Sequence, residues 1–122
     1  METPLISQWL DYTKKQSMVE KKIEEMLKKN SHLTTSEYYA LYQLKQNGRH
    51  MRLNDLGNYL CLSQSALSRL INRLEDRTPP VIERRNCADD KRGVYIDLTN
   101  EGVTLVSSVE PEVDAILKKY FI

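Results

Sequence analysis

The stretch CLSQSALSRLINRLEDR, from Cys61 to Arg77, decides how this chain folds, because one face of it is leucine-rich and the other carries no carboxylate until its end. Ser63 is a good N-cap, and Leu62 and Leu67 stand at the N′ and N4 positions of a hydrophobic staple. Leu67, Leu70, Ile71 and Leu74 then recur at i, i+3, i+4 and i+7, the stripe that seats an amphipathic helix on a core. The opposite face is Gln64, Ser65, Ser68, Arg69, Asn72 and Arg73, with Glu75 and Asp76 following only at the end. A solvated helix face usually interleaves Glu with Lys for i,i+4 support, and this one lacks the acidic half.

Toward the N-terminus, the pattern predicts a short helix over Leu53 to Leu60. It contains Gly57, which costs about 1 kcal/mol relative to alanine unless a second helix crossing at close range offsets it. Thr34 and Glu37 form a T-x-x-E capping box that opens an earlier helix, ending near Asn47-Gly48. From Ile6 to Leu27 the residues Ile6, Trp9, Leu10, Val19, Ile23, Met26 and Leu27 predict a long amphipathic helix. A partner subunit is one cover for its apolar face; packing within the domain is the other.

Toward the C-terminus, Thr78-Pro79-Pro80 breaks the helix. Val81 to Arg85 and Val94 to Leu98 read as two strands joined by the polar loop NCADDKRG. Thr99 is the expected N-cap of a last helix carrying Val103, Val106, Val109, Val113, Ile116, Leu117 and Tyr120, with a kink expected at Pro111.

The chain of 122 residues fits one mainly α (α+β) domain, divided into an N-terminal helix at 1–33, a core at 34–99 and a C-terminal helix at 100–122. Its net charge of +1 is unevenly spread. Residues 45–93 hold ten Lys/Arg against six Asp/Glu, and eight of the ten cations are arginine, whose planar fork suits phosphate and guanine. No long apolar run or secretory signal pattern is present, so the expected compartment is the cytoplasm, with no membrane partner. Cys61, Cys87, His32 and His50 show no metal-ligand spacing, so neither a metal nor another cofactor is expected.

Two short helices joined by a tight turn, the second with an acid-free polar face, match a helix-turn-helix, and the β-hairpin makes it a winged one. The second helix fits a major groove about 12 Å wide, where Arg, Asn, Gln and Ser hydrogen-bond base edges. Lys91 and Arg92 in the wing would reach backbone or the adjacent minor groove.

The segments LNDLGNYLCLSQSALSRLINRLEDR and VIERRNCADDKRGVYIDLTNEG resemble the MarR family of bacterial winged-helix regulators, over about Thr34 to Gly102. The most specific residues are Arg84-Arg85, then Asp90-x-Arg92, then Leu98-Thr99-x-x-Gly102. The resemblance implies a nucleoid-associated homodimer, repressor or activator, that binds pseudo-palindromic double-stranded DNA and pairs through its terminal helices. It also implies that Ser65, Ala66, Ser68, Arg69 and Arg73 face the major groove and its phosphates, and that Arg92 enters the minor groove, held by Asp90. Gln64, Asn72, Arg84 and Lys91 complete the expected DNA-facing set. Two departures stand out: Thr78-Pro79-Pro80 replaces the usual glycine turn, and the sequence stops at Ile122, a length nearer the compact SarA-type regulators.

Trp9, Tyr12, Tyr38, Tyr39 and Tyr42 are candidates for a small aromatic effector pocket, against the plainer reading of core and dimer packing. Cys61 is expected to be a buried filler, and Cys87 an exposed thiol beside cations. The competing function is a winged-helix protein-interaction module, which would more typically present apolar or aromatic anchors. An enzyme is not expected, since two lone histidines and two dispersed cysteines assemble no nucleophile and base.

Overall fold

A computed structural model describes residues 4–86 and 93–121 of the chain. Its elements run α1 (Leu5–Asn30), α2 (Thr35–Gln46), β1 (His50–Arg52), α3 (Leu53–Leu60), α4 (Gln64–Glu75), β2 (Ile82–Asn86), β3 (Val94–Leu98) and α5 (Asn100–Phe121). The described residues gather into two compact units. One takes the residues up to 35 and those from 109 onward, and the other spans Ser36–Ser108.

In the first unit, Val19, Ile23 and Leu27 of α1 are buried at spacings of four, together with Leu33, Val109 and Val113. Ser31 ends α1 by closing on Leu27: its backbone N–H and its hydroxyl both donate to that carbonyl, at 2.8 and 2.7 Å. Asn30 donates to the Glu112 carboxylate at 2.6 Å. The ammonium of Lys22 lies 5.6 Å from the centre of the Tyr120 ring, and its hydrogen bond with that side chain raises the ammonium pKa. The first half of α1 buries none of its apolar side chains.

The second unit is the winged helix-turn-helix. Tyr38, Leu41 and Leu44 of α2, Leu56 of α3 and the predicted stripe Leu67, Leu70, Ile71 and Leu74 of α4 make its core with Ile82, Ile96, Leu98 and Val106. The two predicted strands pair antiparallel with Ile82 opposite Leu98 and Arg84 opposite Ile96. A third strand, β1, was not expected; it pairs with β3 with Met51 opposite Ile96, giving the order β1-β3-β2. Three residues are too few for period-2 alternation to be visible in the sequence.

The pleat sorts the sheet into two faces. Met51, Ile96, Leu98 and Ile82 point to the core, and Arg84 shares that face. His50, Arg52, Tyr95, Asp97, Glu83 and Arg85 form the outer face. Thr99 caps α5 as expected, its hydroxyl accepting from Gly102 N–H at 3.0 Å and donating to the Pro80 carbonyl at 2.8 Å. Pro111 lies inside α5.

Candidate nucleic-acid interface

The turn between α3 and α4 sets where the candidate reading helix points. Cys61 caps α3 in the left-handed region, at φ 55° and ψ 37°. Leu62 N–H then donates back to the Gly57 carbonyl at 3.4 Å. Contrary to the expectation of a buried filler, Cys61 is exposed. The left-handed cap leaves its thiol beside the Asn58 carbonyl, 3.8 Å away, and not in the core. Gly57 lets the two helices cross closely: a Cβ there would lie 2.7 Å from a methyl of Leu67, which would have to move.

Ser63 caps α4, its hydroxyl accepting from Ala66 N–H at 3.2 Å and lying 3.3 Å from the Ser65 hydroxyl. With the leucines turned inward, Gln64, Ser65, Ser68, Arg69, Asn72 and Arg73 are exposed, and Ala66 is half-buried. The N-terminus of α4 therefore stands among hydroxyls and an amide, a setting that suits an anion.

Tertiary contacts divide the predicted cations. Arg69 has no ion-pair partner among the described residues. Arg73 lies 3.7 Å from the carboxylate of Glu37, a buried residue of α2 that was read from the sequence only as part of a cap. Arg84 makes a 2.8 Å ion pair with Glu75 and also donates to the Asn72 side-chain oxygen, so two expected DNA contacts bind each other. Arg85 pairs with Asp97 at 2.8 Å, and His50 of β1 contacts the same carboxylate. Asp90, Lys91, Arg92 and Cys87 lie outside the described residues.

A family model of the MarR family matches residues 33–94, which takes in α2, the helix-turn-helix and β2. This chain belongs to the MarR family. The HTH-type transcriptional regulator FarR of Neisseria gonorrhoeae is 30% identical over 84 residues, covering 69% of this chain and 56% of that protein. The match thus spans little more than half of that relative. The crystal structure of AbsC, a MarR family transcriptional regulator from Streptomyces coelicolor, superposes with a TM-score of 0.85 at 27% identity, over 99% of this chain and 81% of that one. Sco3205 from the same organism, a MarR family regulator solved in complex with DNA, gives a TM-score of 0.83 at 24% identity, over 98% and 75% of the two chains.

Aromatic contacts and one groove complete the described geometry of this MarR family chain. Trp9 and Tyr12 stack on each other in the first unit, with centroids 5.9 Å apart. In the second unit Tyr38 is buried, and it meets Tyr39 edge-on at 6.1 Å and stacks with Tyr42 at 6.3 Å. A groove of about 510 Å³ was not foreseen; it lies along β1 and α3, lined by Met51, Arg52, Asp55, Asn58, Tyr59 and Tyr95 among others. Its wall is the ring pair His50 and Tyr95, parallel to within 4° at 4.6 Å. Among the described residues no group of three His, Cys, Asp or Glu is placed to hold a metal. No described helix is long and apolar enough to cross a membrane.

Proposed function

We propose that this chain is a sequence-specific, double-stranded-DNA-binding transcription regulator that acts as a homodimer on pseudo-palindromic sites. The observation that carries the reading is the outer face of α4. Gln64, Ser65, Ser68 and Arg69 are exposed on a helix whose opposite side is wholly engaged in the core. No carboxylate interrupts these four residues at the N-terminal end of the helix, so they present donors to base edges and phosphates without an ion pair among the described residues. Membership of the MarR family and the DNA complex of Sco3205 support the same reading. Arg69 is the base reader; Ser65, Ala66, Ser68 and Arg73 lie along the groove and its phosphates; Lys91 and Arg92 of the wing, with Asp90 orienting Arg92, reach the minor groove. The dimer is supported by the exposed Leu5, Ile6, Trp9 and Leu10 of α1.

Selection from a random duplex pool, followed by binding at several salt concentrations, tests this reading. A pair of related half-sites is expected, with spacing that reports the dimer geometry. Arg69→Ala should relax preference at one base position by about 1–3 kcal/mol, whereas Arg92→Ala should weaken all sequences alike and reduce the salt slope by about 1. A pool with no enriched sequence would overturn the reading.

A further inference from the structure

We propose that Arg84 is a positioning residue that locks the wing to the recognition helix, and that it is not a DNA contact. This rests on the DNA-reading function proposed above, which it deepens. Arg84 lies on β2 two residues after the buried Ile82, so the pleat turns it toward α4 and away from the outer face that carries Arg85. Its Nε donates to Glu75 Oε1 at 2.9 Å, and its Nη2 contacts the same oxygen at 2.8 Å. Nη2 also donates to Asn72 Oδ1. Both acceptors belong to the last turns of α4, one turn apart, so a single guanidinium spans the end of the recognition helix and the strand leading into the wing.

The lock has two consequences for reading. The side-chain oxygen of Asn72 is occupied by Arg84, which leaves base discrimination to the first two turns, Gln64 to Arg69. The separation between helix and wing is set by this planar, donor-rich bridge, and lysine, a point charge, cannot reproduce its geometry. A strand β2 held at one angle to α4 fixes where the wing begins relative to Arg69.

The sign of one substitution separates the lock from a phosphate contact. Glu75→Gln removes a negative charge beside the DNA, so it should tighten binding if Arg84 contacts phosphate directly. The lock predicts the opposite: Glu75→Gln and Arg84→Gln each weaken binding to the selected site by about tenfold, a mid-range coupling for contacting side chains. The exchanged pair Glu75→Arg with Arg84→Glu should restore affinity to within a few-fold, and Asn72→Ala should leave base preference unchanged.

Amide hydrogen exchange of β2 in the DNA-free protein should accelerate in both single variants. Tighter binding by Glu75→Gln, or unchanged exchange in Arg84→Gln, would sink the proposal. If the exchanged pair does not fold, the two single variants still decide. If the parent binds no duplex at all, it is the DNA-reading function that fails, and the exchange measurement alone decides the lock.

Discussion

Asp97 takes two partners at once, the imidazole of His50 from β1 and the guanidinium of Arg85 from β2, and so ties together the outer faces of all three strands. Its side chain is 21% exposed, and that of Arg85 is 63% exposed, so solvent screens much of the attraction. Asp97→Asn is expected to cost about 0.5–1 kcal/mol in urea unfolding at low salt, and clearly less at 1 M salt. An equal loss at both salts would show that the contact is not electrostatic. Ser63 acts at the same scale through one bond to Ala66 N–H. Ser63→Ala should lower stability by about 1 kcal/mol, with the midpoint shifting and the urea slope unchanged.

At the scale of elements, two close approaches hold the second unit together, and they differ in what would have to give way. A Cβ on Gly102, in the first turn of α5, would lie 2.2 Å from the Val81 carbonyl oxygen, part of the backbone that enters β2. A Cβ on Gly57 would meet the tip of the Leu67 side chain, which can turn aside. Gly102→Ala should therefore cost about 2–3 kcal/mol by overpacking, and Gly57→Ala at least about 1 kcal/mol less, because alanine also restores helix propensity. Thermal or urea unfolding of the two variants checks the order. The reverse order would mean that the α3–α4 crossing, and not the joint of α5 to the wing, is the tighter contact.

At the scale of the whole molecule, the large apolar side chains exposed among the described residues are concentrated at the N-terminal end of α1. Leu5 is 81% exposed, and Ile6, Trp9 and Leu10 are all above half. A contiguous apolar stripe of this kind is unusual on a monomer's surface and suits a second copy of the chain. The proposed homodimer predicts that the parent sediments as a dimer at micromolar concentration and that combining Trp9→Glu with Leu10→Glu shifts it to monomer; a monomeric parent would remove the dimer from the proposed function. It should also lower affinity for a two-half-site duplex far more than for a single half-site. A dimeric parent whose sedimentation coefficient the two substitutions leave unchanged would remove α1 from the proposed interface.

The periodicity of the sequence by itself determined α3 and α4, the Ser63 and Thr99 caps, the leucine stripe and the close crossing at Gly57. All but the crossing depend on residues within one or two turns of each other, where backbone geometry dictates which side chains share a face; the crossing was read from the cost of Gly57 inside a helix, and its partner Leu67 came only from the structure. Tertiary structure decided the rest. Strand β1 exists only because β3 offers it a ladder. Cys61 is exposed only because a left-handed cap carries it out of the turn. Glu37 meets Arg73 across 36 positions, and Arg84 meets Asn72 across 12. The apparently acid-free face of α4 is thus acid-free at its N-terminal end only. Near Arg73 and Asn72, groups from α2 and β2 reach it, and no local pattern encodes partners brought together by the packing of separate elements.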